Sequence, residues 1–293
     1  MHSHSERRAG QQKQLLIVLL MTGTFMVIEL VGGLFTGSLA LLADAGHMLT
    51  DVAALGLSAF AMWIAARPSP PEKSYGYHRA EILAAVINAV VLLLLSVWIM
   101  YEAYRRAFEP PQVFGVPMLL IGIMGLAVNV ASVKLLADES ASNLNVQSAY
   151  LEVLSDAISS CAVILGGGII WMTGWVLIDP LLSAGISVFI MWRTWGLLSQ
   201  SVHVLMEGVP THLNAQEVGQ AMAGVPGVKG IHDLHIWAIT SGLDALSSHV
   251  VISAGEDRDT MLERLQSLLR DRFKIDHATL QIVEERSDRV QVQ

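Results

Sequence analysis

Six apolar stretches dominate the chain, near residues 15–35, 39–65, 80–104, 113–136, 146–172 and 176–199. Each has the ~20 residues that a helix needs to cross a bilayer. Inside lipid, a helix satisfies all its backbone groups within one segment. Between the stretches lie turn-forming and charged residues: "TGS" at 36–38, "RPSPPEKSYG" at 67–76, "FEPPQ" at 108–112, "DESASN" at 138–143 and "TGWVLIDP" at 173–180. The first and last pairs are joined by short turns, which predicts antiparallel neighbours. The first stretch is too long for a signal peptide and is expected to stay in the mature protein.

Charge follows the same division. Between residues 14 and 66 the only titratable groups are Glu29, Asp44, His47 and Asp51, whereas the region after 210 alternates charge and hydrophobe. The tail reads "NAQEVGQAMAGV" as helix, "KGIHDLHIWAI" and "LDALSSHVVIS" as strands joined through "TSG", "DRDTMLERLQSLLRDRF" as helix and "ATLQIVEE" as strand. The expected architecture is an N-terminal segment 1–13, a domain of six transmembrane helices over 14–204, and an α+β domain over 205–293. That last domain has αββαβ order, is ferredoxin-like, and carries two helices on one face of the sheet. Six spans place both ends on one side. With that side cytoplasmic it holds Arg7, Arg8, Lys13, Arg67, Lys73, Arg79, Lys134 and Arg193, against Arg105 and Arg106 opposite. This asymmetry predicts both termini inside. The basic residues are read as orientation signals, and a net charge of −8 gives no reason to expect a nucleic-acid partner; the surroundings are membrane lipid.

The second and fifth stretches each contain a pair of potential metal ligands four residues apart: His47 and Asp51 in "HMLTD", Glu152 and Asp156 in "EVLSD". Residues at i and i+4 share a helix face. Two such faces opposed would gather one nitrogen and three oxygen donors, a count that suits a tetrahedral divalent ion such as Zn²⁺. Each group alone is costly in lipid, whereas around a dication their charges cancel. Asp44, Glu29, Asn88 and Asn129 are read as hydrogen-bonding links between helices. Cys161 is the only cysteine, so no disulfide framework or thiolate cluster exists.

"SLALLADAGHMLTDVAAL", "YGYHRAEILAAVINA" and "IHDLHIWAITSG" closely resemble the cation diffusion facilitators, across nearly the whole chain past residue 14. The resemblance implies six helices with a cytoplasmic αββαβ domain, a homodimer, and export of divalent cations in exchange for protons. It implies His47, Asp51, Glu152 and Asp156 as ligands of the transported ion, and a cell inner membrane of a bacterium as the location, because the loop "ADESASN" is short and lacks the histidines of many eukaryotic relatives. It also picks His232, His249, His277 and Glu284 as a cytoplasmic metal site, with Zn²⁺ as a regulatory ligand. Zinc-type members generally carry His where this chain has Glu152, which broadens the expected range to Cd²⁺, Co²⁺, Mn²⁺ and Fe²⁺ while keeping Zn²⁺ first.

In the tail, His232 and His235 differ by an odd number, so in a regular strand they point to opposite faces and only one can join a given site. His235 and Trp237 are therefore assigned to packing, His212 to an exposed loop, and His78 to a structural or interfacial role. For the intramembrane quartet the expected mechanism is competition. Three carboxylates in a low-dielectric cleft cannot all stay ionised without a cation, so protons are held there until a dication displaces them. Antiport follows if the site opens to one side at a time. No "HExxH" or similar catalytic pair is present, so an enzyme is not expected. A membrane-anchored metal sensor remains the alternative from another class.

Overall fold

The computed structural model describes residues 2–65, 71–140, 144–240 and 242–284. Arg67, residues 141–143 of the break at 138–143, and Ser241 of the "TSG" turn lie outside the described residues.

Six long helices run first: α1 His2–Thr36, α2 Leu39–Ala65, α3 Ala80–Phe108, α4 Gly115–Ser140, α5 Leu144–Thr173 and α6 Ile178–Leu205. α1 starts at His2, so helix runs through the segment expected to precede the first span. Among the described residues five stretches are long and apolar enough to cross a membrane: Leu16–Thr36, Ala80–Phe108, Gly115–Ala137, Ala149–Thr173 and Ile178–Leu205. α2, with 27 residues, reaches about 40 Å at 1.5 Å per residue and holds the polar cluster.

The turns are set by local chemistry. α1 ends at Gly37, whose φ of +73° is the left-handed conformation that glycine adopts without steric cost. Ser38 then caps α2, its Oγ accepting from Leu41 N at 3.2 Å. Phe114 N donates to Thr36 O at 3.0 Å, tying the entry of α4 to the end of α1. Pro180 sits in the first turn of α6, where its missing N–H removes no helical bond.

α4 and α5 pack backbone to backbone. A Cβ on Gly167 would lie 2.7 Å from Leu119 N, and one on Gly115 would lie 2.8 Å from Trp171 N. Glycine is required at this crossing, as at many helix contacts in membranes. The apolar interior joins Leu39, Leu41, Leu92, Ile99, Met118, Val163, Ile186 and Ile190, drawn from α2 to α6.

The rest of the chain forms α7 Ala215–Ala223, β1 Val228–Thr240, β2 Leu243–Ile252, α8 Arg258–Phe273 and β3 His277–Glu284. The sheet order is β1-β2-β3, with β1 and β2 antiparallel and β2 and β3 parallel. Met261, Leu265, Leu269 and Phe273 repeat every fourth residue of α8 and, with Val218 and Met222 of α7, bury Ile236, Leu246, Val250 and Ile252. Both helices thus serve one core on one face of the sheet. By compactness the chain divides into one unit of residues up to Gly56 with Ile87–Gly196, and a second of Leu57–Val86 with the residues from Leu197 onward.

Candidate metal centre

Four side chains from α2 and α5 converge. His47 Nε2 lies 3.5 Å from Asp51 Oδ2 and 3.6 Å from Glu152 Oε1. His47, Glu152 and Asp156 each offer a ligand atom, all within 4.8 Å of one another. Distances of 3.5 and 3.6 Å are long for hydrogen bonds. They match the edge of a tetrahedron, about 3.4 Å, built on metal–ligand bonds of roughly 2.0–2.1 Å. His47 and Asp156 are 8% and 5% exposed, while Asp51 and Glu152 are about one-third exposed. His47 Nδ1, Glu152 Oε1 and Asp156 Oδ1 are buried without a hydrogen-bond partner. Leaving such atoms unpaired is costly, and a cation held by Glu152 Oε1 and Asp156 Oδ1 would remove that cost for the two carboxylates. The donor set therefore fits a divalent ion.

A fifth group belongs to this centre. Arg193, expected to be an orientation signal at the cytoplasmic surface, lies within α6, twelve residues before its end at Leu205, or about 18 Å along the axis. Its Nη2 donates to Glu152 Oε2. The signal was present in the sequence, since a lone arginine inside an apolar span is expensive and marks function by default.

Beside the quartet, Glu29 of α1 and Asp44 of α2 are fully buried and lie against each other. Glu29 Oε1, Glu29 Oε2 and Asp44 Oδ1 have no hydrogen-bond partner. Asn129 Nδ2 donates to Ser160 Oγ at 3.2 Å, linking α4 and α5. At the far end of α2, Asp179 of α6 accepts from Ser38 Oγ at 2.6 Å, Leu39 N at 2.8 Å and Ala40 N at 3.3 Å, and Arg106 Nη1 donates to Gly37 O at 2.6 Å.

The histidines of the sheet are arranged differently from the expectation. His232 pairs across the strands with His249, and His235 with Ser247. Three residues of β1 therefore span two of β2, which is a β-bulge, and Asp233 carries the positive φ of 53° that makes it. The bulge reverses the parity argument: His232 and His235 lie on the same face. His235 is 64% exposed, with Nε2 2.8 Å from Asp233 Oδ1, and so is not a packing residue. His277 stands opposite Ala245 and Glu284 opposite Ile252, at the two ends of β3. Glu284 lies 3.4 Å from Arg258. Within one chain the sheet brings His232 and His249 together and leaves His277 and Glu284 apart from each other. His212, placed in an exposed loop, has its Nε2 2.8 Å from Asp244 Oδ2.

Comparison with known proteins agrees with this architecture. The cation efflux transmembrane domain matches residues 15–206, and the cytoplasmic domain of cation efflux proteins matches residues 210–285. The metal cation efflux system protein CzcD of Cupriavidus metallidurans is 44% identical over 96% of this chain and 89% of its own length. The zinc transporter ZitB of Pectobacterium atrosepticum is 40% identical over 98% and 90%. The cadmium, cobalt and zinc/H(+)-K(+) antiporter of Bacillus subtilis is 40% identical over 94% and 88%. Among solved structures, the metal-bound C-terminal domain of the CzcD transporter is 40% identical over 24% of this chain and 99% of that one, with a TM-score of 0.24. Six long helices, an αββαβ tail and two matched domains that together cover residues 15–206 and 210–285 make this chain a multi-pass membrane protein of the cation diffusion facilitator family.

Proposed function

We propose that the chain exports divalent metal ions from the cytoplasm, Zn²⁺ first, in exchange for protons, and that it works as a homodimer in the cell inner membrane with both termini inside. The observation that carries this reading is the quartet of His47, Asp51, Glu152 and Asp156: His47 Nε2 stands at tetrahedral spacing from Asp51 and Glu152, and one oxygen each of Glu152 and Asp156 is buried without a partner. The relatives named above are a cation efflux protein, a zinc transporter and a metal antiporter, which supports transport rather than catalysis.

His47 and Asp51 are one turn apart on α2, and Glu152 and Asp156 one turn apart on α5. Movement of either helix by a small angle would change the access of all four donors together, which is what alternating access requires. An arriving dication needs ionised carboxylates and a neutral imidazole, so it drives off any protons held there. Protons arriving from the other side then displace the metal. Oxygen donors outnumber nitrogen three to one, which favours a range that includes harder ions such as Mn²⁺ beside Zn²⁺. His232 and His249 on the cytoplasmic sheet would bind metal in a regulatory role, with residues 205–293 as that domain and 14–204 as the transport domain.

Purified protein in liposomes, loaded with a metal-sensitive dye and given a proton gradient, tests the proposal. Zinc uptake coupled to proton movement is expected, with a smaller response to Mn²⁺. Absence of flux with retained metal binding would instead make the chain a membrane-anchored sensor.

A further inference from the structure

We infer that Arg193 is a positioning and selectivity residue for the transported ion, holding Glu152 by one oxygen and cancelling its charge so that this carboxylate does the work of a neutral imidazole. The inference rests on the transport reading of the quartet. The two oxygens of Glu152 face different partners. Oε2 accepts from Arg193, while Oε1 lies 3.6 Å from His47 Nε2 and has no hydrogen-bond partner. The carboxylate is thereby fixed as a one-oxygen ligand, with its free oxygen turned to the metal position. Hydrogen bonds from outside the ligand shell commonly orient a ligand in this way. The guanidinium keeps its charge under all conditions and presents a rigid fork to carboxylates. The other acids within its electrostatic reach are Asp51 and Asp156.

A charge count shows what Arg193 changes. Counting the four ligands and Arg193 alone, with the Glu29–Asp44 pair common to every variant left aside, Asp51, Asp156 and Glu152 carry three negative charges and Arg193 returns one positive, so the set with a neutral His47 stands at −2. A dication then makes a neutral complex, which is the inexpensive state in a low-dielectric interior. Two imidazoles and two carboxylates, with no arginine, give the same −2. Glu152 with Arg193 is thus electrostatically equivalent to a histidine, but it leaves an oxygen rather than a nitrogen at the metal. The substitution Glu152→His alone would leave a guanidinium unpaired beside the ion, at −1. Arg193→Gln alone would leave the set at −3.

The charge count orders four proteins in the liposome assay. The half-saturating zinc concentration should be highest in Glu152→His, lowest in Arg193→Gln, and intermediate in wild type and in the Glu152→His/Arg193→Gln double variant. Each unit of charge should move it by about tenfold or more, given the interaction of a unit charge with a dication at short range. Arg193→Gln should also lower the maximal rate, because a tighter ion leaves more slowly, and should shift the ion ranking toward Mn²⁺. Removing the arginine is therefore harmful in one background and restorative in the other. A role in packing or membrane anchoring would not produce that reversal. The inference is overturned if Arg193→Gln leaves half-saturation and ion ranking unchanged, or if the double variant transports no better than Glu152→His. Should Arg193→Gln fail to fold, the comparison of the double variant with Glu152→His decides alone. Failure of the transport reading looks different: wild type would show no flux, or Asp156→Ala would keep it.

Discussion

Two buried carboxylates in the helical part of the molecule have opposite fates. Asp179 is 0% exposed and Asp156 5%. Asp179 spends its oxygens on Ser38 Oγ and the amides of Leu39 and Ala40. It caps the N-terminus of α2 from the first turn of α6, where the helix dipole also favours a negative charge. Asp156 has an oxygen with no partner and lies close to Glu152, whose Oε1 is in the same condition. Burial is common to both, so burial does not distinguish them. The difference lies in satisfaction: a carboxylate with every acceptor used belongs to the architecture, and one left short is a place for a ligand. Glu29 and Asp44, whose carboxyl groups lie against each other, belong to neither side of that division.

The largest effect should come from breaking the unsatisfied side. Asp156→Ala removes one of four donors and a charge that the dication needs, and metal flux should be abolished while the protein still folds. Asp51→Ala should do the same. Wild type should also gain thermal stability from zinc, about 2.7 kcal/mol at a hundredfold excess over the dissociation constant. Asp156→Ala should lose that gain. Flux near the wild-type level in either variant would remove these residues from the transport site.

Breaking the satisfied side should cost stability instead. Asp179→Ala strands a hydroxyl and two amides in the interior, which should lower metal-free stability by about 2–4 kcal/mol, read as thermal unfolding in detergent. The zinc-dependent gain should persist, because no donor of the quartet is touched. A variant that unfolds normally but no longer responds to zinc would mean that Asp179 acts on the ion directly.

The sequence shows one side of this contrast more clearly than the other. The six helices, the αββαβ tail and the two pairs, His47 with Asp51 and Glu152 with Asp156, follow from hydrophobic runs and from spacing within single helices. Both are local properties. Asp179 as the cap of a helix 140 residues away in sequence is not local, and nothing around it names its partner. Arg193 is visible in the sequence, but charge counting along loops groups it with surface charges because it does not locate a residue in depth. The bulge at Asp233 defeated the alternation rule for His232 and His235, since one extra residue in a strand flips every later side chain. Resemblance joins His277 and Glu284, whereas strand pairing sets them at opposite ends of β3.

A smaller effect is expected at the sheet. His232→Ala with His249→Ala should reduce the number of metal ions bound per chain by calorimetry and leave part of the flux. His235→Ala in addition should lower binding further if the bulge indeed presents all three rings on one face. Unchanged binding in the triple variant would make these histidines ordinary surface residues, and complete loss of flux would make the site obligatory rather than regulatory.

The smallest effect concerns a third capping carboxylate, which has the chemistry of Asp179 in full contact with water. Asp257 precedes α8 and accepts from Thr260 N at 2.8 Å and from Thr260 Oγ1 at 2.6 Å. These bonds, the side-chain one foremost, hold its carboxyl below the ordinary aspartate range. A carboxyl depressed in the folded state contributes stability above its unfolded value, near 3.9, and loses it as pH falls through the lower folded value. Protection of the Thr260 amide from hydrogen exchange in the full chain should therefore stay level from neutral pH down to about pH 4 and weaken only below that. Asp257→Asn keeps an acceptor without the charge, so its protection should persist and the acid step should vanish. Asp257→Ala should lack the protection throughout. Equal protection in all three proteins would mean that the turn, and not the carboxylate, shields this amide. The contrast with Asp179 would then come from connectivity rather than from the exposure of the capping group.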